Sequence, residues 1–136
     1  MMKKRRICSV AMLFLVVFLQ GCSVVEEEEK LRDLEYTVVS PDDIPEDLAN
    51  EIQNVKDKEF QLSYDDGEYL YIAKGYGARN TSGYNVTVKE VYLTEHTLVF
   101  DSEISGPREG EDVADKKTMP FIVVKTETVD RQIIYE

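Results

Sequence analysis

The chain has 136 residues, 27 acidic against 16 basic side chains, a net charge of −11, one histidine and no tryptophan. That length suits a single domain. The charge excludes the basic surface that nucleic acid or anionic lipid headgroups require, and two cysteines with one histidine are too few for a closed four-ligand zinc site of that type.

The first element is an address. Lys3, Lys4, Arg5 and Arg6 precede an apolar stretch over residues 7–19, which runs into Leu19-Gln20-Gly21-Cys22. A basic start, a short apolar run and small residues at the end are the parts of an export signal. The run is shorter than the roughly 20 residues a membrane-spanning helix needs. Residues 1–21 are therefore read as a signal that is removed. They carry four basic and no acidic side chains, so their loss takes the charge from −11 to −15.

Leu19-Gln20-Gly21-Cys22 resembles a lipobox, the cleavage motif of bacterial lipoproteins, with Gln20 as a departure from the usual pattern. The resemblance implies a diacylglycerol on the Cys22 sulfur. It also implies attachment to the cell membrane on its extracytoplasmic side. Several acyl chains would hold firmly, since each buried methylene contributes about 0.8 kcal/mol.

Residues 22–33 follow, with Glu26 to Glu29 in a row. Like charges repel and stay hydrated, so this segment reads as an acidic tether. A domain over 34–136 comes next. Residues 34–39 form a candidate strand, broken at Ser40-Pro41. Pro45 with Glu46 and Asp47 marks a helix start, and Leu48, Ile52 and Val55 supply one apolar stripe, predicting a helix over 45–58.

From Phe60 the pattern alternates with period two. Asp65-Asp66-Gly67 predicts a hairpin whose central residues take positive φ. Residues 69–74 return, with Tyr69, Tyr71 and Ala73 on one face and Leu70 and Ile72 on the other. A loop is expected over 75–83, strands over 86–93 and 98–104, a polar loop over 105–118, and strands over 119–126 and 132–135. Abundant Val, Ile and Tyr fit this β-rich reading. About seven strands and one helix with hairpin-like connections predict a mainly β fold, a small antiparallel sandwich or partly open barrel.

The sequence offers little chemistry. His96 lies in an expected turn, and no nucleophile-elbow motif accompanies it. The Asp65-to-Glu68 and Glu109-to-Asp112 acids lack the spacing of a calcium loop. No catalytic residue, metal ligand or cofactor is expected. The segment 75–84 (Gly-Tyr-Gly-Ala-Arg-Asn-Thr-Ser-Gly-Tyr) has a different character. Glycine permits close approach of another chain, and tyrosine is enriched where proteins meet. Tyr84 is equally readable as a core residue opening the next strand.

From Asp43 onward, the order of features resembles the C-terminal domain of PrcB, a protease-complex subunit. The shared features are Ile44-Pro45-Glu46, the 69–74 strand, Thr81-Ser82-Gly83-Tyr84 before Val86 and Val88, Ser105-Gly106-Pro107, and Met119-Pro120-Phe121. The resemblance implies a non-catalytic subunit that meets a protein partner, a protease among the candidates. The segment 79–84 and Met119-Pro120-Phe121 are also similar to inhibitory loops of chagasin-type proteins. Residues 106–110 match that family's second loop poorly. The candidate partner-binding residues are therefore Arg79, Asn80, Thr81, Ser82, Gly83, Tyr84, Pro107, Pro120 and Phe121, with inhibition of extracytoplasmic proteases as the alternative function.

Overall fold

The computed structural model describes residues 28–136. The export signal, Cys22 and residues 23–27 of the acidic segment lie outside the described residues. No helix among the described residues is long and apolar enough to cross a membrane.

Among the described residues, eight strands form two sheets of four, and neither closes into a barrel. In chain order the elements are β1 (Arg32–Asp33), β2 (Tyr36–Val38), a 3-10 turn (Pro41–Asp43), α1 (Glu46–Val55), β3 (Glu59–Asp65), β4 (Tyr69–Tyr76), β5 (Asn85–Leu93), β6 (Thr97–Ser105), β7 (Phe121–Glu127) and β8 (Gln132–Tyr135). The first sheet has the order β1-β5-β6-β8 and the second β2-β7-β4-β3. Every pairing is antiparallel except β6 with β8, which is parallel.

Period-two alternation explains the layers. Along β4, Leu70 and Ile72 face the first sheet, where they meet Val91, Leu93, Leu98 and Phe100 in one buried cluster. Tyr71 and Ala73 face the other way and join Phe60 and Val123 beneath Leu48 and Ile52 of α1. The register repeats this on β7, which pairs Ile72 with Val124 and Ala73 with Val123. The second sheet is thus covered on both faces, by the first sheet and by the helix. Strands buried on both sides read as unbroken apolar runs, as Leu70 to Ala73 and Ile122 to Val124 do.

The valines of β5 change parity between Val88 and Val91. A bulge there pairs Val88 with Ser102 and Glu90 with Asp101. The extra residue, Lys89, returns Val91 and Leu93 to the face already used by Val86 and Val88, which is what a bulge does to side-chain direction. Polar groups between the sheets find partners. The Tyr76 hydroxyl and Ser102 Oγ lie 2.6 Å apart, and Tyr135 donates to the Leu62 carbonyl at 2.8 Å. Burial pushes the Tyr135 phenol up to about 12.

Several sequence expectations need correction. The helix ends at Val55, not 58, because Phe60 must already lie in β3 opposite Gly75. A Cβ on Gly75 would come within 2.0 Å of the Phe60 ring, so that crossing demands glycine. The 65–67 turn has positive φ only at Gly67. Asp66 instead stabilises it through its carboxylate, which accepts from the Glu68 and Tyr69 amides at 2.8 and 2.7 Å. Arg32 and Asp33, read as the end of the tether, form β1 against Leu93 and Tyr92. The strand expected over 34–39 shortens to β2, because Leu34 is buried where the chain passes from one sheet to the other.

Phe100 sits at the centre of the sandwich with no exposed surface. Phe100→Ala is expected to cost about 3–5 kcal/mol, read as a lowered urea midpoint at unchanged slope.

Candidate functional site

One end of the sandwich carries the loops 77–84 and 106–120. They follow β4, precede β5, and connect β6 to β7. The sequence marked both segments, and the fold brings them together.

The join is made largely of backbone. The Tyr76 amide donates to the Pro120 carbonyl at 3.0 Å. Arg79 and Thr118 exchange amide-to-carbonyl bonds of 2.7 and 2.9 Å, a single antiparallel bridge outside either sheet. The Thr118 hydroxyl donates to the Thr81 carbonyl at 2.8 Å. Ser82 donates its amide to the Ala114 carbonyl at 3.0 Å and accepts the Ala114 amide on Oγ at 2.7 Å. The helix end is tied in as well: the Ala78 amide reaches the Asp57 carbonyl at 3.1 Å, and Lys117 lies 2.9 Å from the Asp57 carboxylate.

Side chains close the remaining gaps. Gly83 has φ +94°, and a Cβ there would meet Val113 Cγ1 at 2.9 Å and Pro107 Cβ at 3.0 Å. The Tyr84 ring lies over Gly106, whose Cβ position is 3.3 Å from Tyr84 Cε1. Tyr84 is half-buried, so it both packs and presents surface. The Arg79 guanidinium stands 5.3 Å from the centre of the Tyr84 ring and donates to the Tyr76 carbonyl at 3.2 Å. Its Nε is buried without a hydrogen-bond partner, and no carboxylate among the described residues lies within ion-pair distance of it. Stacking of this kind stabilises by about 0.5–1 kcal/mol at an exposed site and holds the planar fork ready for an acceptor.

Of the nine residues singled out from the sequence, Arg79, Thr81, Ser82, Gly83, Tyr84 and Pro107 form this ledge. Asn80 is exposed at its tip. Pro120 supplies the carbonyl that Tyr76 binds. Phe121 turns towards the helix side, its ring 6.2 Å from that of Phe60. Beside the ledge runs an open apolar groove of about 440 Å³, lined by Val38, Val39, Pro41, Val86, Met119 and Phe121 among others. The sequence reading missed the valines of this lining. Val86 and Val39 are half-buried, whereas Val38 is 55 % exposed on edge strand β2. A larger open cleft of about 970 Å³ lies at the opposite end, near Tyr69 and Glu127. It is polar and its cations are already engaged: Arg32 with Glu127 at 3.0 Å and Lys125 with the Tyr69 ring at 4.4 Å. None of the nine residues lines it, so the ledge is the better candidate.

The acidic loops serve turns. Asp65 and Asp66 accept amides of their own hairpin, and Glu111 accepts the Arg108 amide at 2.8 Å. Among the described residues no cluster of three or more His, Cys, Asp or Glu side chains could hold a metal ion. His96 has Glu28 as its partner, with Nδ1 2.7 Å from Oε1. The Thr94 hydroxyl binds that same carboxylate rather than the imidazole.

With this geometry in hand, comparison with family models is informative. Residues 70–127 match the family described as PrcB C-terminal. This PrcB-like stretch runs from β4 to β7 and contains both loops of the ledge. The helix start at Ile44-Pro45-Glu46 lies outside it. Comparisons with curated proteins and with solved structures return no match.

Gly83→Ala is expected to cost about 1–2 kcal/mol, because an L-residue must enter a left-handed conformation while its Cβ meets Val113 and Pro107. Hydrogen exchange will read this locally: the Ser82 and Ala114 amides lose protection, whereas those of β4 and β7 keep it.

Proposed function

We propose that the chain is an exported, lipid-anchored accessory protein whose sandwich binds a protein partner, a protease or a protease assembly, through the 77–84 and 106–120 ledge. The reading is non-catalytic, places the protein on the extracytoplasmic side of a cell membrane, and assigns the anchor to Cys22. The observation that carries it is the merger of two sequence-marked loops into one fixed surface, inside the stretch that matches the family described as PrcB C-terminal. A preformed surface lowers the ordering cost of association. A stacked arginine beside a half-exposed tyrosine has the composition of an interface hot spot.

Inhibition is a second reading, favoured by one observation: the Arg79–Thr118 bridge sets the 79–84 loop directly beside the Met119-Pro120-Phe121 segment. The two readings differ in the sign of the effect on the partner. An accessory subunit leaves or raises the protease rate, and an inhibitor lowers it.

Affinity capture with the wild type, followed by peptidase assay of what is retained, tests both. Arg79→Ala with Tyr84→Ala should reduce retained peptidase by about tenfold or more, because truncating a hot-spot side chain commonly costs 2 kcal/mol or above. Equal retention by a variant with unchanged melting temperature would remove the ledge from the proposal. For the anchor, Cys22→Ser should shift the protein from the membrane to the soluble fraction. A processed but membrane-retained variant contradicts the assignment.

A further inference from the structure

The acidic segment does not simply leave the domain. Both oxygens of the Glu28 carboxylate are engaged at the turn between β5 and β6. Oε1 lies 2.7 Å from His96 Nδ1, and Oε2 accepts the His96 amide at 3.1 Å. The Thr94 hydroxyl donates to the same Oε2. The Thr97 hydroxyl, 2.5 Å from that of Thr94, backs this contact. The next backbone bond along the chain runs from the Leu31 amide to the Leu93 carbonyl at 2.8 Å, beside Lys30, whose Nζ lies 3.3 Å from Glu90.

We propose that Glu28 is a latch that sets the orientation of the domain on the membrane: it holds the anchor-proximal chain at the β5–β6 turn, so that this end faces the lipid and the 77–84 and 106–120 ledge faces away. The proposal rests on the lipid-anchored reading above. The ledge and the turn lie at opposite ends of β5, which runs from Asn85 to Leu93. At about 3.3 Å per residue the ends of β5 stand about 26 Å apart. Glu28 is six residues from Cys22, a leash of at most about 20 Å when fully extended. That leash is shorter than the domain, so the domain cannot turn end over end to stand on the ledge with the turn outermost. Without the latch, the leash runs nine residues to Leu31 and reaches about 30 Å. Inversion then becomes possible.

The charged groups around the imidazole are Glu28, Glu95 and Arg131. Glu95 stands 3.9 Å from Nε2, and Arg131 donates to the Glu95 carbonyl at 3.3 Å. Hydrogen bonding and charge from Glu28 hold His96 above the ordinary imidazole value. Hydrogen bonds from Thr94 and His96 hold Glu28 below the ordinary carboxylate value. A raised imidazole contributes fully below its unfolded value and is lost as pH rises through its folded one. A lowered carboxylate contributes fully above its unfolded value and is lost as pH falls through its folded one. The latch is therefore tightest between about 4.5 and 6.5. It loosens in part above that window, where Thr94 and the His96 amide still donate.

The test uses the lipidated protein in phosphatidylcholine vesicles that contain an acceptor-labelled lipid. A donor dye is placed on Asn80→Cys, at the ledge, or on Asp130→Cys, at the turn end. Energy transfer should be strong from position 130 and weak from position 80. Glu28→Ala should raise transfer from position 80 about twofold or more, as the longer leash lets that end reach the lipid. Transfer from position 80 that equals that from 130 in the parent, or that does not respond to Glu28→Ala, overturns the proposal. A companion titration of His96 by NMR in detergent micelles should show a raised value that drops towards the ordinary one in Glu28→Gln. An unchanged value overturns the latch. Protein that never enters the vesicles overturns the anchor reading and the orientation with it, while the titration still judges the Glu28 contact on its own.

Discussion

The burial of β4 and β7 on both faces is the constraint from which the rest of the molecule follows. Leu70, Ile72, Ile122 and Val124 must meet an apolar surface on one side, and Tyr71, Ala73 and Val123 on the other. The first sheet and the single helix satisfy them in turn. Because both faces are committed, the register of β4 against β7 cannot slip by one residue without moving each set to the wrong layer. That register also fixes Tyr76 opposite Pro120, the first bond between the two loops. The position of the ledge is therefore a consequence of core packing.

The ledge itself is held differently. Its ties are mostly main-chain bonds, together with the Gly83 turn fitted against Val113 and Pro107. Such ties define a shape without consuming the outer side chains. Arg79 is left stacked on Tyr84 with no carboxylate among the described residues within ion-pair distance, in a chain whose acidic residues greatly outnumber its basic ones. A partner with an acceptor suited to a planar fork would meet a group already in place.

Much of the sandwich was legible because burial writes itself into the spacing of apolar residues. The apolar runs of β4 and β7, the stripe Leu48–Ile52 and the parity change across Lys89 all carry it. Elements held by backbone alone were not legible. β1 consists of Arg32 and Asp33, which look like a solvated run, yet they pair with Leu93 and Tyr92. Residues 56–58 suit a helix locally, and only the distant Gly75 shows why it must stop. The parallel entry of β8 beside β6 was hidden for the same reason, since period two marks a strand but not its direction. At the site, composition marked the two loops, but their union through Arg79 and Thr118 left no side-chain pattern to read. Glu28 was hidden within a like-charge run. The only hint was a lone histidine between two threonines, Thr94 and Thr97, at a turn.

The central claim is that the ledge, not the opposite end, is where a partner docks. Site-specific photocrosslinking in intact cells measures this directly, with the photoreactive residue at Asn80 in one strain and at Glu68 in another. Position 80 should give a discrete covalent adduct containing a protease or a protease-associated protein, and position 68 none. Adducts of equal yield from both positions, or from position 68 alone, would contradict docking at the ledge.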